Sequence, residues 1–132
     1  MVDRPAAKEG DQVFAIDTHY VAVPSPGGPV PTPTPMPFQG MLDGTLSKDV
    51  RIQDRFAAIE GTTVENKQVH MPSAGPLMTP PSNRGEVIDG SSTVFINDRP
   101  ATWVGARVKT CNDCGNPAQG TVMGESTVRV GS

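Results

Sequence analysis

The sequence predicts a mostly β fold built from three related units closed into a ring, and three observations carry that expectation. A ten-residue segment recurs three times without gaps: RPAAKEGDQV from Arg4, RFAAIEGTTV from Arg55 and RPATWVGARV from Arg99. The residues before each copy alternate apolar and polar at period two, the spacing of one strand face. No stretch keeps a helical period over the ~12 residues that a stable helix needs.

Each copy reads Arg, Pro or Phe, Ala, a small residue, two variable positions, Gly, two variable positions, Val. The starts lie 51 and 44 residues apart, a long-period repeat with loops of unequal length. DVRIQD (49–54) and TVFIND (93–98) precede the second and third copies. A further copy, TVRVGS (127–132), lacks its Arg-Pro-Ala, which stands at the other end of the chain as VDRPAA from Val2. We therefore expect one domain over residues 1–132, with units of about 4–44, 45–90 and 91–132. The third is closed by the N-terminal segment, which also removes a free sheet edge.

Val50, Ile52, Val94, Ile96, Val128 and Val130 are expected on one strand face, with Arg51, Phe95 and Arg129 on the other. Gly44, Gly90 and Gly124 precede these strands and are read as tight turns. Residues 24–40, PSPGGPVPTPTPMPFQG, have alternate prolines. They are read as a stiff, extended strap of polyproline type without internal hydrogen bonds, and 71–85 as its shorter counterpart.

Composition sets the next expectation. Hydrophobic residues make up 36% of the 132 residues and aromatics 5%, with 14 Gly and 14 Pro. So thin an apolar core calls for a staple such as a disulfide, a metal or a permanent partner. The net charge is −3 and the eleven Lys and Arg are scattered, without the basic stripe that nucleic-acid binding requires. No apolar run approaches the ~20 residues of a membrane span, and the N-terminal residues lack a signal-peptide core. The expectation is synthesis in the cytoplasm, where two cysteines are read as metal ligands or a redox pair rather than as a structural disulfide.

The repeat points to the staple. His19, His70 and Cys114 each lie 15 residues after the Arg of their unit, so a ring would bring them to its axis. Cys111 lies three residues before Cys114, a C-x-x-C spacing that lets two thiolates reach one ion. Two imidazoles and two thiolates form a closed tetrahedral set, the usual make-up of a structural zinc site with no open position for catalysis. Other readings of the same residues are surface histidines, a redox pair at 111–114, or a Cys–His nucleophilic site. Only the zinc reading explains the shared register. Trp103 and Phe56 are expected in the core.

Arg4–Ala7, their relaxed copies, and GSSTVFINDRP (90–100) resemble PAAR-repeat proteins. The strap followed by MLDGTLSKDV, together with PPSNRG (80–85), is similar to a PAAR-like subgroup of type VI secretion and extracellular contractile injection systems. The resemblance spans essentially the whole chain. It implies a small cone that caps a trimeric VgrG-like or phage-type spike, one copy per trimer, for puncture of a target membrane. It implies a non-enzymatic structural role and zinc held near the apex, and any effector cargo would be a separate chain. The protein would assemble in the cytoplasm, ride on the tip of the particle and touch the target membrane transiently. Such proteins hold zinc through three His and one Cys. His19, His70 and Cys111 carry over, Met36 stands where a further His is expected, and Cys114 is read as the substitute. The competing class is a stand-alone zinc protein with redox or hydrolytic activity.

Overall fold

The computed structural model describes residues 3–67, 69–72, 74–111 and 120–131, and among these there is no helix. The strands in chain order are β1 (Asp3–Pro5), β2 (Gln12–Val23), β3 (Val30–Gly44), β4 (Arg51–Ile52), β5 (Arg55–Phe56) and β6 (Thr63–Glu65). They continue as β7 (Arg84–Val87), β8 (Phe95–Ile96), β9 (Arg99–Pro100), β10 (Arg107–Lys109), β11 (Gly120–Met123) and β12 (Arg129–Gly131). Six of them close a barrel in the order β10-β11-β2-β3-β6-β7, and the others form three two-stranded hairpins.

The hairpins repeat one register. Arg51 pairs with Phe56, Phe95 with Pro100 and Arg129 with Pro5. The third joins β12 to β1, so the two ends of the chain complete the unit they share. The other two close through two-residue turns in which Gln53 and Asp54 have φ of 50° and 65°, and Asn97 and Asp98 have 51° and 65°. Two successive positive φ values define the turn that follows the natural twist of paired strands, and Asp and Asn are among the residues that tolerate it.

The repeats then interlock cyclically. Bridges link Ala6 to Trp103, Ala57 to Lys8 and Ala101 to Ile59, so each unit's alanine meets the next unit's chain. The amides of Glu9, Glu60 and Val104 donate to the carbonyls of Phe56, Pro100 and Pro5 at 2.8–2.9 Å. Ala6, Ala57 and Ala101 are all completely buried, which explains why the repeat demands a small side chain where three chains converge. The repeat glycine follows: Gly10, Gly61 and Gly105 have φ of 89°, 96° and 98°, a region that other residues enter only under strain. Their amides donate to the carbonyls of Leu42, Val87 and Val122. The turn chemistry thus belongs to these glycines. Gly90, expected in a tight turn, instead lies where a side chain would strike Pro100 and Glu60.

Beyond the glycines, each barrel strand contributes one aliphatic side chain to a common inner layer. Val13, Val64 and Val108 are the Val that ends each repeat copy, and Leu42, Val87 and Val122 alternate with them around the barrel, none more than 1% exposed. Full burial of such a side chain is worth roughly 1.5–3 kcal/mol, so this layer is the main apolar store of a core-poor chain. Phe38 and Trp103 are buried with it, and Phe56 is half-buried beneath the Arg51 guanidinium.

Two expectations are revised. The valines at 50, 94 and 128 do not share the buried face with Ile52 and Val130 but are 37%, 36% and 42% exposed. Each stands one residue before its short strand, where the chain has not yet met the core. The proline strap is largely a strand: β3 pairs with β2 from Val23↔Val30 to Gln12↔Met41. The Leu42 amide donates to Asp11 on the β2 side, whereas Gln39, three residues earlier, bonds away from β2 to Asn66 and Lys67. Pro31, Pro33, Pro35 and Pro37 share the phase of Gln39, so their missing N–H groups fall on the edge that faces away from β2. There proline costs no ladder bond and discourages further strand pairing.

Candidate metal centre

β2 alternates strictly, with Val13, Ala15, Asp17, His19 and Val21 inward and buried. The inner face is apolar where the barrel core lies and turns polar at Asp17 and His19, both 0% exposed. His70, 4% exposed, arrives on the segment after β6, and Cys111 on the segment after β10. One ligand atom from each of Asp17, His19, His70 and Cys111 falls within 4.8 Å of all the others.

Nε2 of His19 and Nδ1 of His70 are 2.8 Å apart, and Sγ of Cys111 lies 3.7 Å from both. The Cys111 thiol donates to Oδ2 of Asp17 at 3.3 Å, and the Thr110 hydroxyl donates to Oδ1. Donor atoms around a tetrahedral zinc, with bonds of ~2.0–2.3 Å, stand roughly 3.3–3.7 Å apart. The thiol–imidazole distances already fit, and the two rings need to part by only about half an ångström. The residues present suit a divalent ion of zinc type, which would tie three separated segments of the chain together.

The surroundings orient these groups. Nε2 of His70 donates to the Pro37 carbonyl at 3.1 Å, leaving Nδ1 as the lone pair that faces the cluster. Asn83, held at φ 55°, accepts the His70 amide and the Asn66 side-chain amide through its Oδ1. Burial, then the charge and hydrogen bond of Asp17, push the Cys111 thiol up to about 12. It is therefore protonated at neutral pH unless a metal displaces the proton, and by itself it is a poor nucleophile.

Of the residues singled out by spacing, His19, His70 and Cys111 come together, and Cys114 lies outside the described residues. Asp17 was missed. The signal was available in the sequence: two positions before His19 on an alternating strand, it had to share the inward face. Met36 lies directly across from Asp17 in the β2–β3 register and is buried.

Residues 78–132 match the family model described as PAAR motif, as expected of a PAAR-repeat protein. No curated protein matches the chain. The matched stretch runs from the segment before β7 through β12, and so contains the third repeat copy and Cys111.

Proposed function

We propose, on the premise that residues 78–132 carry a PAAR motif, that this chain is the metal-fastened tip of a contractile injection machine. The motif supports a spike-tip role in such systems generally, and its family is structural, which fits a protein that is not an enzyme. In our reading one copy caps a trimeric VgrG-like spike and sharpens it for membrane puncture, with any effector carried as a separate chain. The cap assembles in the cytoplasm and leaves with the particle on firing.

One observation carries this reading. Val50, Val94 and Val128 occupy one repeat position on three hairpins of one register, each between 36% and 42% exposed, and Phe95 beside them is 58% exposed. A single chain thus presents three similar apolar edges. That is what one copy needs to meet three identical chains, and the second and third contacts then form intramolecularly. The metal cluster lies past the barrel layer from these hairpins and would point away from the spike.

Native mass spectrometry of the cap purified with its spike tests the proposal. The expected mass is one cap per three spike chains, retained at moderate salt because the contact is apolar rather than charge-steered. Three caps per trimer, or no association with any trimeric spike, refutes it. A redox enzyme built on Cys111 would need a reactive thiolate, and the half-buried Cys111 thiol, pushed up by burial and by Asp17, argues against one.

A further inference from the structure

We infer that Asp17 is the fourth ligand of the metal, closing a shell of Asp17, His19, His70 and Cys111, and that Cys114 is not required to hold the ion. This inference rests on the reading above that the cluster holds a metal.

The geometry comes first. Asp17 Oδ2 lies 3.3 Å from Cys111 Sγ, a carboxylate oxygen falls within 4.8 Å of one ring nitrogen of each histidine, and the carboxylate is 0% exposed. Its Oδ1 is engaged by Thr110 from β10's flank, which fixes the carboxylate so that Oδ2 faces the sulfur and the imidazoles. When Cys111 binds a metal its S–H bond breaks, the proton passes to solvent and the sulfur lone pair goes to the ion. Oδ2 then loses its donor and would face a bare thiolate 3.3 Å away. A buried carboxylate and a half-buried thiolate at that distance repel, and a shared cation removes the repulsion.

Charge counting gives the same answer. A divalent ion with two neutral imidazoles, one thiolate and one carboxylate sums to zero. Adding the Cys114 thiolate beside a buried Asp17 carboxylate leaves the cluster at minus one, with the surplus charge removed from water. A shell completed by Asp17 avoids that cost with residues already in place.

X-ray absorption at the zinc edge counts the sulfurs directly, and cobalt substitution gives a second readout through the thiolate-to-metal charge-transfer band. The expected result for the parent protein is one sulfur per zinc. Cys114→Ser should leave both the sulfur count and the cobalt band unchanged, and Cys111→Ser should abolish the band. Asp17→Asn should keep the band, shift the cobalt d–d transitions and weaken zinc binding at least ~10-fold. Two sulfurs per zinc, or a cobalt band halved by Cys114→Ser, overturns the inference while leaving the metal site standing. A parent protein that folds and holds no metal overturns both. If Asp17→Asn does not fold, the sulfur count and Cys114→Ser decide the matter alone.

Discussion

The Pro37 carbonyl accepts a hydrogen bond from Nε2 of His70 at 3.1 Å, and this one contact decides which nitrogen of the ring meets the metal cluster. Pro37 belongs to the strand that pairs with the one bearing His19, so both histidines are aimed by the same pair of strands. His70→Ala removes one of the four candidate ligands and its bond to Pro37 of β3. Structural zinc in small domains is worth about 10 kcal/mol or more of apparent binding energy. The expected outcome is a melting temperature lowered by ~10 °C or more in metal-loaded protein. Excess chelator should shrink that difference sharply. Scanning calorimetry with and without chelator checks both; equal melting points with metal present would contradict a fastening role.

A second prediction concerns acid. Asp89 accepts the Arg107 side chain at 2.8–3.2 Å and the Arg107 amide at 3.0 Å, and that guanidinium hydrogen bond holds its carboxyl below the usual range. A carboxylate whose folded value is depressed stabilises the fold fully above its unfolded value, near pH ~4. That contribution is lost as pH falls through the lower folded value. Asp89→Asn should therefore melt below the parent at pH 7, and the difference should close at the acid end. Metal release on acidification acts on both proteins, so the difference between them isolates the pair. A gap that widens on acidification would reverse the sign of this assignment.

The third prediction tests the ring of alanines. Ala101 is completely buried and bridges Ile59, with its amide donating to Val94. Ala101→Leu adds three carbons where three units meet, and overpacking of this kind costs typically ~1–3 kcal/mol. Denaturant unfolding should show that loss as a lower midpoint at an unchanged slope. A change under ~0.5 kcal/mol, the range of a surface substitution, would mean that the units do not interlock there.

Much of this fold was legible because the repeat copies carry the residues that geometry makes indispensable. The alanines, the positive-φ glycines and the barrel valines recur, and the cyclic bridges follow from them. The proline strand was harder to read, since alternate prolines suit a polyproline path and an outward-facing strand edge equally well. Its long pairing with β2 is a tertiary fact that no local pattern records. The outer valines obey period two and are nevertheless exposed, because they stand one residue before short strands and nothing among the described residues covers them. In the candidate site, spacing located His19 and His70, whose positions are equivalent in the repeat. Cys111 was reached by its C-x-x-C spacing to Cys114 instead, since it stands three residues ahead of the equivalent repeat position. Spacing passed over Asp17 because counting began from the histidines instead of from the strand that bears one of them.

The pairing of Asp3 with Gly131 has a consequence for how the molecule comes into being. The β1–β12 pair can form only once residues 129–131 have been made, so a chain emerging from the ribosome can close β4–β5 and β8–β9 while β1 still waits for its partner. Contacts of such long sequence separation are slow to form, because the loop must be closed before any bond repays it. The amide of Ala6, which donates to the Val128 carbonyl, waits on the same segment. Closure of the ring is therefore tied to the synthesis of β12, and a chain stopped before that strand is left with an open ring.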